Sequence, residues 1–195
     1  MAEKKDNMKE IRWHGRGGQG AKTAATLVAQ VVLKEGKFSQ GFPEYGPERM
    51  GAPIRGYTRI SEGKISSHCN IANPDIVVVL DATLMDVVDV CEGIESDGIL
   101  LLNTATSPAE VKASVKMPES VKVATVDANT ISRDEIGRQI PNTPMMGALV
   151  KVSGILKLET LEDDIRHKFE KKFGEKIVQG NIKAVKRAFE EVTVE

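Results

Sequence analysis

A glycine-rich turn near the N-terminus constrains the fold of this chain more than any other stretch. A short apolar run at residues 11–13 is followed by six residues, 15–20, of which only Arg16 and Gln19 carry side chains beyond hydrogen. A helical pattern rich in alanine and valine begins immediately afterwards, at residues 21–33. Glycine adopts positive φ angles without steric cost and allows another group to approach the backbone closely. The sequence therefore predicts a strand, a tight turn and a helix.

The glycine turn, residues 15–20, is a candidate anion-binding site. The first N–H groups of a helix lack partners within the helix, and the helix dipole favours negative charge at that end. The candidate ligand-binding residues are Gly15, Arg16, Gly17, Gly18, Gln19 and Gly20. The alternative is that these glycines only allow the strand, the helix and a neighbouring subunit to pack tightly. Both interpretations remain open on the sequence alone.

The same turn satisfies the G-x-G-x-x-G pattern of dinucleotide-binding domains through Gly15, Gly17 and Gly20. That fingerprint also requires a second parallel strand ending in Asp or Glu about 20 residues further on. Here the helical pattern ends near Glu35, and residues 36–53 are typical of a long loop. The context therefore disfavours an NAD or FAD site. A stand-alone nucleotide-binding domain is kept as the alternative from another class.

Composition excludes several classes of protein. The charge is balanced, with 27 basic and 28 acidic residues, and aromatic residues make up only 4% of the chain. Such a balance does not favour binding to nucleic acid or to an anionic membrane surface. The N-terminal residues are charged and lack the apolar region of a signal peptide. We expect a cytoplasmic protein with a charged tail at residues 1–8 and a single domain at residues 9–195.

The chain lacks the residues of a recognisable catalytic or metal centre. Cys69 and Cys91 are the only cysteines, so the chain cannot supply four thiolates to an iron–sulfur cluster. The three histidines, His14, His68 and His167, do not have the spacing of a known metal motif. Nucleophile motifs such as G-x-S-x-G are also absent. We therefore expect no catalytic residue, no metal and no cofactor bound by this chain alone.

Alternating strand and helix patterns predict the fold class. The apolar run at residues 76–80 is typical of a central parallel strand that is buried on both faces. Residues 54–60 alternate, which predicts a half-solvated or interface-facing strand, and residues 65–69 are expected to return from it as a hairpin. Several helices follow residue 128. The prediction is a three-layer α/β fold whose mixed, mostly parallel sheet carries an antiparallel hairpin insert and a helical C-terminal tail.

Asp81 has two interpretations. It follows the predicted central strand directly, and open α/β sheets bind ligands at the carboxyl ends of their strands. It also precedes a short helical pattern, where a carboxylate is a favoured N-cap. The sequence leaves both roles open.

The segment 41–53, here called the interface loop, is a candidate contact surface together with the arginine just beyond it. Arg49 and Arg55 can grip carboxylates or phosphates in a bidentate manner. Glu44 and Glu48 are possible partners within the loop, and Tyr45 adds an aromatic ring. The alternative is a surface loop whose charges satisfy one another. Because long ordered loops without function are uncommon, we expect an interface with another subunit.

Several blocks of this sequence resemble one known family. These blocks are H-G-R-G-G-Q-G at residues 14–20, F-P-E-Y-G-P-E-R-M-G-A-P-I-R-G-Y-T-R-I at 42–60, I-V-V-V-L-D at 76–81, N-T-P-M-M-G-A-L at 142–149, and Gly180-Asn181 with Ala184. Together they are similar to the gamma subunit of 2-oxoacid:ferredoxin oxidoreductases over about residues 9–190. The interface loop is most similar to the pyruvate branch of that family, pyruvate:ferredoxin oxidoreductase (pyruvate synthase).

The resemblance implies a function that belongs to a complex. Such enzymes oxidatively decarboxylate a 2-oxoacid with coenzyme A, form acyl-CoA and CO2, and reduce ferredoxin. Thiamine diphosphate, magnesium and iron–sulfur clusters are then expected in partner subunits, namely alpha, beta and delta. The gamma chain is expected to be a structural and positioning subunit whose glycine turn is a candidate seat for a coenzyme A phosphate. The alternative within the family is a gamma-type subunit of a branched-chain or aryl 2-oxoacid enzyme.

Overall fold

The computed structural model describes residues 8–44 and 51–195. Within these residues, a seven-stranded mixed sheet is covered by helical segments on both faces. The strands are β1 (Met8–Arg16), β2 (Phe38–Pro43), β3 (Pro53–Ser61), β4 (Ile76–Val79), β5 (Ile99–Asn103), β6 (Lys122–Val126) and β7 (Thr193–Val194). The helices are α1 (Ala21–Leu33), α2 (Pro108–Ser114), α3 (Ala128–Ile136), α4 (Asn142–Ser153), α5 (Leu158–Glu170) and α6 (Glu175–Glu191), and a 3-10 helix spans Ala82–Asp86.

The strand order is β2-β3-β1-β4-β5-β6-β7. Four neighbouring strands, β1, β4, β5 and β6, run parallel, whereas β3 and β7 run antiparallel to their neighbours. Trp13 of β1 lies opposite Gly56 of β3 on one side and Val78 of β4 on the other. The predicted α/β class and mixed sheet are confirmed. The predicted helical C-terminus is also confirmed, although the chain ends by returning to the sheet as β7.

The antiparallel hairpin is formed by different residues from those predicted. β3 pairs with β2, which lies in the stretch expected to be a loop, and residues 65–69 form no strand. The reason is visible at Gly41, which is in β2. A β carbon there would lie 2.8 Å from Cβ of Ala29 in α1, so the glycine lets an edge strand pack directly on the helix. Gly41 therefore allows close packing on α1, and Pro43 ends the strand.

The larger part of the core lies between the sheet and one layer of helices. α1, α3, α4, α5 and α6 cover this face, and Trp13, Val78 and Leu101 are buried beneath them. The opposite face is covered by the 3-10 helix and α2, over residues that include Val77 and Leu100. The central strands are thus apolar on both faces, as the sequence predicted for β4. None of the helices in the described ranges is long and apolar enough to cross a membrane.

The strand at residues 54–60 was predicted to be half-solvated or interface-facing, and the half-solvated alternative is wrong. Tyr57 and Arg59 are each only 1% exposed, because β3 is an internal strand. The carbonyl oxygen of Cys69, in the segment after β3, also accepts from Nη2 of Arg59. Nε of Arg59 donates to Glu10 Oε1 at 2.7 Å. Arg12 on β1 is also buried and donates from Nη2 to the carbonyl oxygens of Val90 and Glu92. Long polar side chains can therefore be buried here because carbonyl and carboxylate oxygens meet them.

Candidate functional site: a glycine turn at the carboxyl edge of the sheet

The glycine turn lies at the topological switch point of the sheet, where the connections from two neighbouring strands lead to opposite sides. β1 and β4 are parallel neighbours in the sheet. The chain leaves β1 through α1 toward β2 and β3 on one side, whereas it leaves β4 toward β5 on the other side. Open α/β sheets bind ligands in the crevice that such a switch point creates at the carboxyl ends of the strands. The candidate residues from the sequence therefore occupy the expected place for a ligand.

The backbone of the turn requires glycine at two positions. Gly18 and Gly20 have φ angles of 98° and 84°, both in the left-handed region. The N–H of Gln19 donates to the carbonyl of Arg16 at 3.0 Å, which closes the turn. Gly20 is the N-cap of α1 and has no side chain with which to cap the helix. Because the first turn of α1 contains no acidic residue, the positive end of the helix dipole is not offset there by a carboxylate of the helix itself.

The two long side chains of the turn reach across to the end of β4. Nε2 of Gln19 donates to Asp81 Oδ2 at 2.7 Å, and its Oε1 accepts from the N–H of Arg16 at 2.8 Å. Arg16 lies with Nε 3.2 Å from the same carboxylate oxygen, and its Nη2 donates to Thr83 Oγ1 at 2.8 Å. Nη1 of Arg16 donates to the carbonyl of Gly51 at 3.1 Å. This polar cluster holds the turn, the end of β4 and the end of the interface loop together.

The N-cap interpretation of Asp81 is confirmed, and its interpretation as a ligand-binding residue stays a prediction. Its Oδ1 accepts from the N–H and the hydroxyl of Thr83, which is the contact of an N-cap at the start of the 3-10 helix. Its Oδ2 faces Gln19 and Arg16. Burial tends to raise the pKa of Asp81, but hydrogen bonds from Thr83 and Gln19, with the charge of Arg16, hold the pKa below its ordinary value. Asp81 is therefore an ionised carboxylate that orients the turn.

Asn142 borders the candidate site, and sequence reasoning did not identify it. It begins α4, is only 8% exposed, and its side chain packs directly against Gly20. Its Oδ1 is buried and has no hydrogen-bond partner in the described part of the structure. The only signal in the sequence was the block N-T-P-M-M-G-A-L at residues 142–149, and nothing in its spacing indicates that it lies near the glycine turn. The structure thus adds a buried amide to the border of the candidate site.

Gly15 supports the close-packing alternative for part of the turn. A β carbon on Gly15 would lie 3.0 Å from Cβ of Ala21 and 3.4 Å from Cδ1 of Leu80. The glycine is therefore needed to seat α1 against the ends of the strands. Gly17, in contrast, is tied by its N–H to the carbonyl of Ala52 at 3.0 Å.

The described part of the interface loop shows one of the expected pairings. The N–H of Glu44 donates to the carbonyl of Arg55 at 3.0 Å, and Nε of Arg55 lies 3.9 Å from Oε2 of Glu44. The side chains of Glu44 and Arg55 are 37% and 32% exposed, respectively. Tyr45, Glu48 and Arg49 lie outside the described residues. The described side chains of residues 8–44 and 51–195 do not bring three metal-ligating groups together anywhere.

The fold and the turn define a class of protein: an α/β domain with a glycine turn and an uncapped helix start at the switch point of its sheet. The family described as pyruvate ferredoxin/flavodoxin oxidoreductase matches this chain over residues 10–191. The chain belongs to that family.

Individual relatives match over nearly their whole length. Pyruvate synthase subunit PorC of Thermotoga maritima is 48% identical over 183 residues, which are 94% of each chain. The pyruvate/ketoisovalerate oxidoreductases common subunit gamma of Pyrococcus abyssi is 45% identical over 187 residues, which are 96% of this chain and 98% of the relative. The crystal structure of pyruvate oxidoreductase subunit PORC from T. maritima superimposes with a TM-score of 0.85 at 43% identity and covers 97% of this chain and 99% of that one.

Proposed function

We propose that this chain is the gamma subunit of a multisubunit pyruvate:ferredoxin oxidoreductase. The complex would oxidatively decarboxylate pyruvate with coenzyme A, form acetyl-CoA and CO2, and pass the electrons to ferredoxin. The observation that supports this most strongly is full-length similarity to a pyruvate synthase subunit, at 48% identity over 94% of each chain. The complex would work in the cytoplasm.

The role of this chain within the complex is structural and positioning. Alpha, beta and delta subunits would supply thiamine diphosphate, magnesium and the iron–sulfur clusters. Two cysteines cannot hold a four-thiolate cluster, so the electron path would run through partner subunits. Coenzyme A is the polyanionic substrate of the reaction, and it is the substrate for which this chain offers suitable groups.

The glycine turn is the place where this chain would contact coenzyme A. A phosphate would lie at the N-terminus of α1, where Gly20 leaves the helix without a side-chain cap. Lys22 in the first turn and Arg16 beside it supply positive charge. The ion pair of Arg16 with Asp81 fixes the guanidinium instead of leaving it mobile, which lowers the entropic cost of binding an anion.

Replacement of Arg16 tests this contact. In the assembled complex, Arg16→Ala is expected to raise the KM for coenzyme A about tenfold or more, because a hydrogen bond to a charged group contributes about 1.5–3 kcal/mol. The KM for pyruvate is expected to stay unchanged. Arg138→Ala, at an exposed arginine beyond α3, is the matched control for loss of one positive charge. An unchanged KM for coenzyme A in an intact Arg16→Ala complex would exclude a phosphate contact at this residue.

A second candidate substrate class has specific support. The P. abyssi relative is named as a subunit common to pyruvate and ketoisovalerate oxidoreductases, and it is 45% identical to this chain. This chain could therefore serve a branched-chain 2-oxoacid enzyme as well. Assays of the purified complex with pyruvate, 2-oxoisovalerate and an aryl 2-oxoacid separate the candidates. Pyruvate is expected to give the highest kcat/KM, and a preference for 2-oxoisovalerate would reassign the complex.

A further inference from the structure

The two cysteines of this chain lie in opposite environments. Cys69 is exposed on the segment that follows β3, and its carbonyl oxygen accepts from Arg59 of that strand. Cys91 is buried among the apolar residues beneath the 3-10 helix and is only 6% exposed. Burial raises the pKa of Cys91 to about 11, so its thiol stays protonated at neutral pH.

The sulfur of Cys69 contacts a hydroxyl group and a buried cation. Its Sγ lies 3.3 Å from Oγ of Ser67 and accepts from Nη2 of Arg59 at 3.8 Å. The same Nη2 donates to the carbonyl oxygen of Cys69 at 2.6 Å, which holds the cysteine over the guanidinium. The hydrogen bond from Ser67 is the largest effect and lowers the pKa of Cys69; burial opposes it, and the charge of Arg59 adds a smaller lowering effect. The thiolate is thus favoured where solvent can reach it.

The guanidinium beneath Cys69 has unused hydrogen-bonding capacity. Arg59 is 99% buried, since its exposed fraction is 1%, and its Nε is paired with Oε1 of Glu10 at 2.7 Å. Its Nη1 has no hydrogen-bond partner within the described residues. A buried donor without a partner is costly, and an anionic group placed beside it would be stabilised. Nη2 of the same guanidinium lies 3.8 Å from the sulfur of Cys69, so negative charge on that sulfur lies beside a buried cation.

We propose that Cys69 is a peroxide-reactive thiolate and a site of oxidative modification. The thiolate sulfur attacks one oxygen of hydrogen peroxide, so that an S–O bond forms and the O–O bond breaks. The leaving hydroxide takes a proton from solvent and becomes water. The sulfur is thereby oxidised to sulfenic acid, and the peroxide is reduced. Peroxide reacts selectively with exposed cysteines whose thiolates are stabilised, whereas buried structural cysteines are inert.

Cys91 provides an internal reference for the test. The full-length protein, purified anaerobically with the subunits that accompany it, is treated with hydrogen peroxide at pH 7 in the presence of dimedone, which traps sulfenic acid. Peptide mass spectrometry then measures adducts at each cysteine, and iodoacetamide in a parallel sample measures alkylation rates. We expect Cys69 to react at least about tenfold faster than Cys91, because each pKa unit changes the thiolate fraction about tenfold. Equal rates, or no adduct at Cys69, would overturn the proposal.

A variant at Ser67 separates thiolate stabilisation from simple exposure. Ser67→Ala removes the hydroxyl contact without touching the buried arginine, so we expect alkylation of Cys69 to slow about threefold or more at pH 7 but not at pH 10, where every exposed thiol is ionised. Ser66→Ala is the control, because Ser66 is exposed in the same segment. Cys69→Ser should abolish the dimedone adduct. An unchanged rate in Ser67→Ala at pH 7 would show that Cys69 reacts only because it is exposed and would contradict the assigned role of its neighbours.

Discussion

The side chain of Asn142 occupies the space that a β carbon on Gly20 would need. That carbon would lie within 3.0 Å of both Nδ2 and Cγ of Asn142. Gly20 also has a φ angle of 84°, which L side chains rarely adopt. The start of α4 and the start of α1 therefore interlock at one point, which joins two blocks that are far apart in the sequence.

Gly20→Ala should destabilise the chain through both effects. Left-handed backbone strain contributes about 1–2 kcal/mol, and displacement of a buried asparagine adds a further cost of about 1 kcal/mol or more. Gly18→Ala is the matched control, because its φ is 98° but its β carbon would meet nothing within 4 Å. Urea unfolding of the purified chain measures both variants. An equal loss of stability in the two would mean that Asn142 simply moves away.

Gly147→Ala should weaken the packing of α4 on α6. A β carbon on Gly147 would lie within 3.0 Å of the carbonyl oxygen of Val185, a backbone atom that cannot rotate away. Alanine gains about 1 kcal/mol of helix propensity over glycine, so a net loss of stability would show that close helix contact dominates. We expect a net loss of about 2 kcal/mol or more by urea unfolding. Gly63→Ala, whose β carbon would be in open space, should change stability by less than about 0.5 kcal/mol. Stabilisation by Gly147→Ala would refute the contact.

His14 should make the fold less stable in acid. It is 2% exposed, and its Nε2 accepts from Nε of Arg12 at 3.0 Å, which requires a neutral ring. Burial, with the nearby charges of Arg12 and Arg55, lowers the pKa of His14 to about 3. Between about pH 6.5 and 3 the unfolded state binds more protons, so stability falls as the pH falls, by up to about 1.4 kcal/mol per pH unit. Above pH 6.5 the contribution is constant.

Two histidine variants check the pH dependence. Urea unfolding of His14→Gln should show a shallower loss of stability from pH 6.5 to pH 5 than the parent protein. His167→Gln, at an exposed histidine of α5, should leave the parent slope unchanged. An identical slope in His14→Gln and the parent would show that another group titrates.

Glu44 should contribute to assembly of the complex. Its side chain is 37% exposed beside Arg55, in the N-terminal part of the interface loop. A partner subunit that covers this pair would strengthen it by excluding water, so Glu44→Ala is expected to weaken assembly about threefold to tenfold. Native mass spectrometry of the complex at decreasing concentration measures this effect. Lys172→Ala, at an exposed lysine after α5, is the control, and equal assembly of both variants would argue against an interface here.

Local features of the fold followed from the sequence. The sequence S-P-A-E at residues 107–110 forms a capping box, because the N–H of Glu110 donates to Ser107 Oγ and the N–H of Ser107 donates to Glu110 Oε2. The buried strand β4 and the strand–turn–helix at the glycine turn were also predicted correctly. In each case the determining interactions join residues that are close in sequence.

Features that depend on distant contacts did not follow from the sequence. β2 has the composition of a loop, and only its pairing with β3 and its fit against Ala29 through Gly41 make it a strand. Arginine is usually a surface residue, but Glu10 and the carbonyl of Cys69 allow Arg59 to be buried. Asn142 reaches Gly20 only because α4 begins at the same edge of the sheet as α1. No local pattern encodes such proximity.

The most direct test of the proposed function is purification of this chain, with an affinity tag, from its own cells under anaerobic conditions. We predict that larger subunits elute with it, that the eluate contains iron, sulfide and thiamine diphosphate, and that it reduces ferredoxin when both pyruvate and coenzyme A are supplied. A chain that elutes alone, without iron and without pyruvate-dependent activity, would contradict its assignment as a subunit of this enzyme.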